Sequence, residues 1–181
     1  MLQKLLEGKN VDLRIVEKED LPLVKEWFNN PDFAGEYDPL DAQESKADIE
    51  KEYEKLTPEK KWFLIETKTG CKIGFIGHFP EGDVLTIGYA LIPSEREKGY
   101  CTEAVKIMVD YLFLSKNIVR IQAGTNVKNR ASQRVLEKAG FKKEGTLRKS
   151  MFVRGEWVDT YVYGILREEW KEPKILTRAT S

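Results

Sequence analysis

The 181 residues suit one domain, and 41% hydrophobic against 33% charged side chains predicts a packed core under a solvated surface rather than disorder. Thirty Lys and Arg balance thirty Asp and Glu, so nucleic-acid binding by bulk positive charge is excluded and only a local basic patch stays open. No apolar run approaches the roughly 20 residues that span a bilayer. Cys71 and Cys101 have neither metal-ligand spacing nor a CxxC, which argues against a disulfide framework or a metal site.

The opening residues lack a signal-peptide pattern, so the reducing cytoplasm is the expected compartment. Val11–Ile15 alternates apolar and polar, which reads as a strand. Leu21, Val24, Trp27 and Phe28 recur at helical spacing, with Asp20 as cap and Asn29-Asn30-Pro31 as the stop. Residues Phe33–Pro39 read as loop, and Ser45–Leu56 as a helix with a solvated, charged face. Strands are expected at Trp62–Glu66, Lys72–Phe79 and Val84–Leu91, paired as antiparallel hairpins through turns at Thr69-Gly70 and Glu81-Gly82-Asp83. An amphipathic helix follows through Ala104–Phe113, then a short strand at Val119–Ala123 and a helix carrying Ser132, Val135, Leu136 and Ala139, stopped by Gly140. Two closing strands, Lys142–Val153 and Trp157–Leu166, share the Arg154-Gly155-Glu156 turn. Hairpins around crossover helices give a mixed sheet, so the expected class is α+β. Residues 1–172 read as one domain and 173–181 as a loose tail.

The segment Arg96-Glu97-Lys98-Gly99-Tyr100-Cys101-Thr102 joins a strand to a helix. Such a loop aims backbone N–H groups into one concavity, and the helix start adds unpaired N–H groups and the positive end of its dipole. The result is an anion site suited to a pyrophosphate, with Gly99 permitting close approach and Arg96 and Lys98 adding charge. An ordinary strand-to-helix turn explains the glycine equally well.

The chain resembles the GNAT N-acetyltransferases. The resemblance rests on Arg-x-x-Gly-x at Arg96–Tyr100, on Val11–Arg14 with Glu19-Asp20-Leu21, on Ile87–Leu91, and on Asn126–Ser132 leading to Gly140–Gly145. It extends from about Val11 to Leu166, nearest to the branch that holds the ribosomal-protein-alanine N-acetyltransferases. It implies a mostly antiparallel sheet flanked by helices, with acetyl-CoA wedged between two splayed parallel strands. Leu91 and Ile92 would offer backbone groups to the pantetheine arm, and a backbone N–H near Ile92 would meet the oxyanion. Arg96 to Thr102 would hold the pyrophosphate. Asn126, Asn129 and Ser132 would contact the cofactor, Ser132 protonating the departing thiolate; for Ser132 a helix-cap role is the competing reading. Cys101 stands where the family has Gly or Ala, and Met151 where the ribosomal enzymes carry a carboxylate.

The base that takes the amine's proton is less legible. Glu36 and Glu81 are candidates, with a water relay as the third option. His78, the sole histidine, ends an apolar strand and reads better as structural or as a pocket wall. Tyr37, Tyr161 and Tyr163 read as ordinary aromatics. A covalent role for Cys101 is disfavoured. The implied activity is direct acetyl transfer to a primary amine, either a protein N-terminus or a small molecule, and the acidic stretch Glu36, Asp38, Asp41 and Glu44 suits a cationic acceptor. A homodimer is compatible with the resemblance; membrane and nucleic-acid partners are not expected. Two other readings are a non-catalytic acyl-CoA-binding module, suggested by Met151 and Cys101, and a nucleic-acid binder using Arg130, Arg134, Lys138, Lys142 and Lys143. The basic cluster lacks a stacking set of aromatics.

Overall fold

The structure, a computed structural model, describes residues 6–40 and 43–171. Its eight strands make one sheet in the order β1-β2-β3-β4-β5-β6-β8-β7. They are β1 (Leu6–Glu7), β2 (Val11–Ile15), β3 (Lys61–Thr67), β4 (Lys72–Glu81), β5 (Val84–Leu91), β6 (Arg120–Asn126), β7 (Lys142–Val153) and β8 (Glu156–Leu166). The helices are α1 (Leu21–Phe28), α2 (Pro31–Ala34), α3 (Lys46–Glu54), α4 (Tyr100–Ser115) and α5 (Arg130–Lys138). Every neighbouring pair is antiparallel except β5 and β6. The expected α+β mixed sheet is therefore what forms.

Side chains alternate across the pleat, so each central strand feeds two cores. On one face Leu13, Phe63, Ile65, Ile76 and Ile87 pack against Val105, Met108 and Leu112 of α4 and Leu136 of α5. On the other, Trp62 and Leu64 pack against Leu21, Val24 and Trp27 of α1 and Ile49 of α3. The expected helices and strands hold their places, with the ends of β6 and α4 reaching further: β6 continues to Asn126 and α4 begins at Tyr100.

Three local differences matter. Residues Pro31–Ala34, read as a stop followed by loop, form a short helix, because the Asn30 side chain accepts the Asp32 N–H (2.9 Å) and Gly35 leaves it at φ 91°. Asn, Pro and Gly in that order are a cap, a first-turn residue and a stop. Leu6–Glu7 adds an edge strand against β2. Asp20 does not cap α1 with its side chain. Its carboxylate takes both Arg14 Nη atoms (2.8 and 2.9 Å), Lys72 Nζ (2.8 Å) and the Glu17 N–H (2.9 Å). Arg14 in turn reaches Glu66 (2.7 Å).

This buried network ties the start of α1 to β2, β3 and β4, and so fixes where α1 presents Trp27 and Phe28. Burial alone would raise the Asp20 carboxyl, but the bonds from Arg14 and Lys72 outweigh it and hold the group well below the usual carboxylate range. A depressed folded pKa contributes stability above the unfolded value, about 3.9, and loses it as pH falls through the folded value. Asp20→Asn is expected to destabilise by about 3–5 kcal/mol, since Arg14 is left buried without its main partner. Denaturant unfolding of both proteins checks this: the gap between them should be constant above about pH 4 and narrow in acid.

Candidate active site

Along its full length β5 pairs with β4, from Glu81–Val84 to Gly74–Leu91, and β6 pairs with β8 from Arg120–Leu166 to Asn126–Thr160. Yet β5 and β6 meet only at Leu85–Ile121 and Thr86–Gln122. Beyond Thr86 and Gln122 they part, each held by its outer neighbour. Hydrogen-bonded pairs in an antiparallel ladder recur every second residue. Ile92 donates to the Ile73 carbonyl (2.9 Å), so Ile92, Ala90 and Gly88 turn their backbone groups toward β4. Tyr89 and Leu91 turn theirs into the gap. The Ile92 N–H, expected near the donor, is spent on β4, and the backbone groups that face the gap are those of Tyr89 and Leu91. The Leu91 carbonyl accepts Arg96 Nε (3.1 Å).

The chain then passes a short 3-10 turn, Pro93–Glu95, and enters α4. Glu97 (φ 63°) and Gly99 (φ 82°) are both left-handed, a geometry that turns successive N–H groups to one side. The amides of Tyr100 to Thr102 precede the first intrahelical bond of α4, from the Glu103 N–H to the Gly99 carbonyl (3.1 Å), and so have no intrahelical acceptor. At the head of the 16-residue α4 they form an anion nest. A Cβ at Gly99 would meet no atom within 4 Å, so glycine is needed there for φ rather than for space.

The basic side chains of this loop are occupied elsewhere. Arg96 Nη2 donates to the carbonyls of Asp32 (2.7 Å) and Phe33 (3.0 Å), bracing α2 against the end of β5. Lys98 pairs with Glu95 (3.1 Å). Both cations are engaged within the protein, so the nest itself is main chain. Cys101 packs beside the α4 core, and burial pushes its thiol up to about 12. It is a protonated thiol, unsuited to nucleophilic attack.

Across the gap, Asn129 caps α5 by accepting the Ser132 N–H (3.0 Å). Ser132 Oγ lies 3.0 Å from the Tyr89 hydroxyl. Sequence reading passed over Tyr89; its place two residues before Leu91 was the available signal. Burial, with Cys101 and the Asp38 carboxylate nearby, holds the Tyr89 phenol above its usual pKa, so it keeps its proton as a donor. Asn126 is buried with its polar atoms engaged: Nδ2 donates to the Tyr37 carbonyl (3.0 Å), and Oδ1 accepts the Lys128 N–H (2.9 Å). It holds the 35–40 loop instead of facing the gap with an unused group.

On the opposite face of β4 and β5 lies a cleft of about 360 Å³. Gly77 and Gly88, directly opposed in register, form its floor. Trp27, Phe28, Phe33, Trp62, Phe75 and Phe79 wall it, and Asp38 is its one carboxylate among the described residues. The cleft reaches Tyr89 and Ala90, at the edge of the gap. Glu36 is not among the lining residues; it hydrogen-bonds the Tyr37 side chain at the exposed surface. Glu81 accepts Thr86 Oγ1 (2.9 Å) in its own hairpin. Met151 sits opposite Val158 in the β7–β8 hairpin. Asp41 lies outside the described residues.

His78 is buried, with Nδ1 2.9 Å from the Glu59 carbonyl and its ring beside Phe63 and Tyr111 on the α4 face. Burial pushes its pKa down to about 4, so it is neutral; its ring packs with Phe63 and Tyr111, although the residue also lines the cleft. Tyr161 lies under Lys143 Nζ (3.2 Å to the ring), and Tyr163 donates to Glu137 (3.1 Å). Among the described residues no cluster of metal-ligating side chains occurs and no helix is long and apolar enough to cross a membrane.

A family model for the acetyltransferase (GNAT) domain matches residues 10–142. A curated relative, "Probable N-acetyltransferase YjcK" of Bacillus subtilis (strain 168), is 36% identical over 91% of this chain and 98% of its own. Among solved structures, spermidine N-acetyltransferase from Vibrio cholerae in complex with CoA and spermine superposes with TM-score 0.79 at 23% identity, covering 88% of this chain and 97% of that one. The ribosomal-protein-S5-alanine acetyltransferase of Vibrio fischeri does so with TM-score 0.79 at 22% identity, covering 93% and 100%. With an amide nest and a half-open parallel strand pair suited to an acetyl-CoA donor, this chain belongs to the GNAT family of acetyl-CoA-dependent N-acetyltransferases.

Proposed function

We propose that residues 1–172 form one catalytic domain, acting in the cytoplasm, that transfers acetyl directly from acetyl-CoA to a primary amine in a ternary complex. Protein N-terminal amines fall within that class, as do small amines. The observation that carries this reading is the interrupted β5–β6 pairing, with an anion nest at one side and an aromatic cleft at the other. The donor suits the gap: its pantetheine amides can pair with the backbone of Tyr89 and Leu91, and its pyrophosphate with the amides of Glu97 to Thr102.

The amine must be neutral to attack, because an ammonium has no lone pair. Asp38 lines the cleft, which supports assigning it to hold the ammonium and to accept its proton directly or through water. Attack on the acetyl carbonyl builds negative charge on oxygen, which the free amides facing the gap stabilise. Collapse expels the thiolate. Ser132, its hydroxyl fixed by Tyr89, meets the departing sulfur with a hydrogen bond. Tyr89 acts through Ser132 and is a positioning residue.

Gly99→Ala forces a side chain into the left-handed region at a cost of about 1–2 kcal/mol. Titration calorimetry with CoA should show affinity reduced about tenfold or more. Ser132→Ala should lower kcat by about 100-fold, and Tyr89→Phe by about tenfold, with CoA affinity held in both. Thiol release from acetyl-CoA reads these rates; unchanged rates would remove the pair from the mechanism. Asp38→Asn should reduce kcat/KM for the amine by about 100-fold, while Glu36→Gln leaves it within about twofold.

A further inference from the structure

We infer that Glu103, in the first turn of α4, is a positioning residue for the donor: by clamping the helix head to the turn between β1 and β2, it fixes the direction in which the nest faces. The inference rests on the reading that amides at the head of α4 hold the pyrophosphate. Glu103 takes its bonds from residues 92 and 93 positions earlier in the chain. Its Oε1 accepts the Asn10 N–H (2.7 Å) and the Val11 N–H (3.4 Å), and its Oε2 accepts Asn10 Nδ2 (2.8 Å). Three donors of one turn thus converge on one carboxylate, and bonds to an ionised acceptor are the stronger kind.

The turn is shaped to receive that carboxylate. A Cβ at Gly8 would lie 2.5 Å from Glu103 Oε1 and from the Val11 carbonyl oxygen, and 2.6 Å from Ile107 Cδ1, one turn further along α4. A glycine there lets the turn lie directly against the helix. The Gly8 N–H is fixed in turn by the Val11 carbonyl (2.9 Å) and by Asp12 (3.1 Å). Val11 and Leu13 of β2 are fully buried in the same core as Val105 and Met108 of α4. The helix head is therefore held to the sheet by the Glu103 side chain as well as by packing. Upstream, Arg96 bonds the Leu91, Asp32 and Phe33 carbonyls. The nest residues, between positions 96 and 103, lie between these two anchors.

Charge and geometry act in opposite directions here. A carboxylate in the first turn suits the helix dipole. Toward a pyrophosphate it is unfavourable, since like charges repel, with solvent and salt weakening the effect. A residue that served the donor through its charge would be neutral or basic. Glu103 instead spends both oxygens on the turn, so what it supplies to the donor is a fixed helix head. Amides already aimed at the phosphates bind them with less ordering cost. Without the clamp the first turn is freer to fray, because its N–H groups lack intrahelical partners.

The test titrates CoA, and 3′-phospho-ADP as the part of CoA that carries the pyrophosphate, into the full chain and its variants by calorimetry, with thermal midpoints alongside. Glu103→Ala should weaken both ligands by about tenfold. Glu103→Gln, which keeps an oxygen for the Asn10 N–H, should stay within about threefold of the parent. Asn10→Ala, which removes one of the three bonds, should cost about threefold, and adding it to Glu103→Ala should cost nothing more. Asn10 is exposed, so its variant carries the test if Glu103→Ala fails to fold. Tighter binding in both Glu103 variants would mean that the residue acts only by charge, and overturns the inference. So does a lowered midpoint with unchanged affinity, which is the signature of a merely structural role, or weakening of CoA without weakening of 3′-phospho-ADP. Gly99→Ala separates the two readings. Affinity lost there but kept in Glu103→Ala and Asn10→Ala removes the clamp and leaves the nest; affinity kept in all three removes the pyrophosphate assignment and the clamp with it.

Discussion

Two neighbouring strands that stop bonding to each other leave main-chain donors and acceptors without partners, and a sheet tolerates this only where something else holds the strands in place. Here β4 holds β5 and β8 holds β6 through long antiparallel ladders, while the β5–β6 ladder closes after Thr86 and Gln122. The gap is therefore a property of three ladders together. Opening it costs hydrogen bonds that an extended amide-bearing donor can restore. The head of α4 follows the end of β5 in the chain, and the cap of α5 follows the end of β6.

Strand pleating then separates the two halves of the reaction. Tyr89 projects to the α5 face and meets Ser132, whereas Gly88 and Ala90, its neighbours in sequence, face α1 and line the cleft. In the proposed reading, one strand serves the donor with its backbone, the departing group with the side chain of Tyr89, and the acceptor cleft with the bare backbone of Gly88. The period of two makes this possible within three residues.

The cleft's outer wall is held from three directions. Arg96 ties α2 to β5, Asn126 ties the Tyr37 carbonyl to β6, and Arg154 at the tip of the β7–β8 hairpin donates to the Gly35 carbonyl (3.1 Å). Charged and polar side chains that look like ligand contacts in the sequence are used here as braces on backbone carbonyls. A guanidinium, with five donors in a planar fork, suits that task well. The loop at the head of α4 can spare them because main-chain amides and the helix dipole already give that end a positive potential.

Much of the architecture was legible in residue order. Apolar spacing of two or about 3.6 marked β2 to β8, α1 and α3 to α5, because burial on one face imposes that period. Gly99 before an amphipathic helix marked the nest, since only a residue free to adopt positive φ turns the amides inward. What residue order could not carry was direction. Whether Arg96 points to a phosphate or to Asp32, whether Ile92 or Tyr89 faces the gap, and whether Glu36 or Asp38 reaches the cleft depend on ladder register and on chain segments more than 60 residues apart, such as Asp32 and Arg96. A one-residue shift reverses a strand's faces, so tertiary pairing alone decides which of two adjacent residues faces the gap.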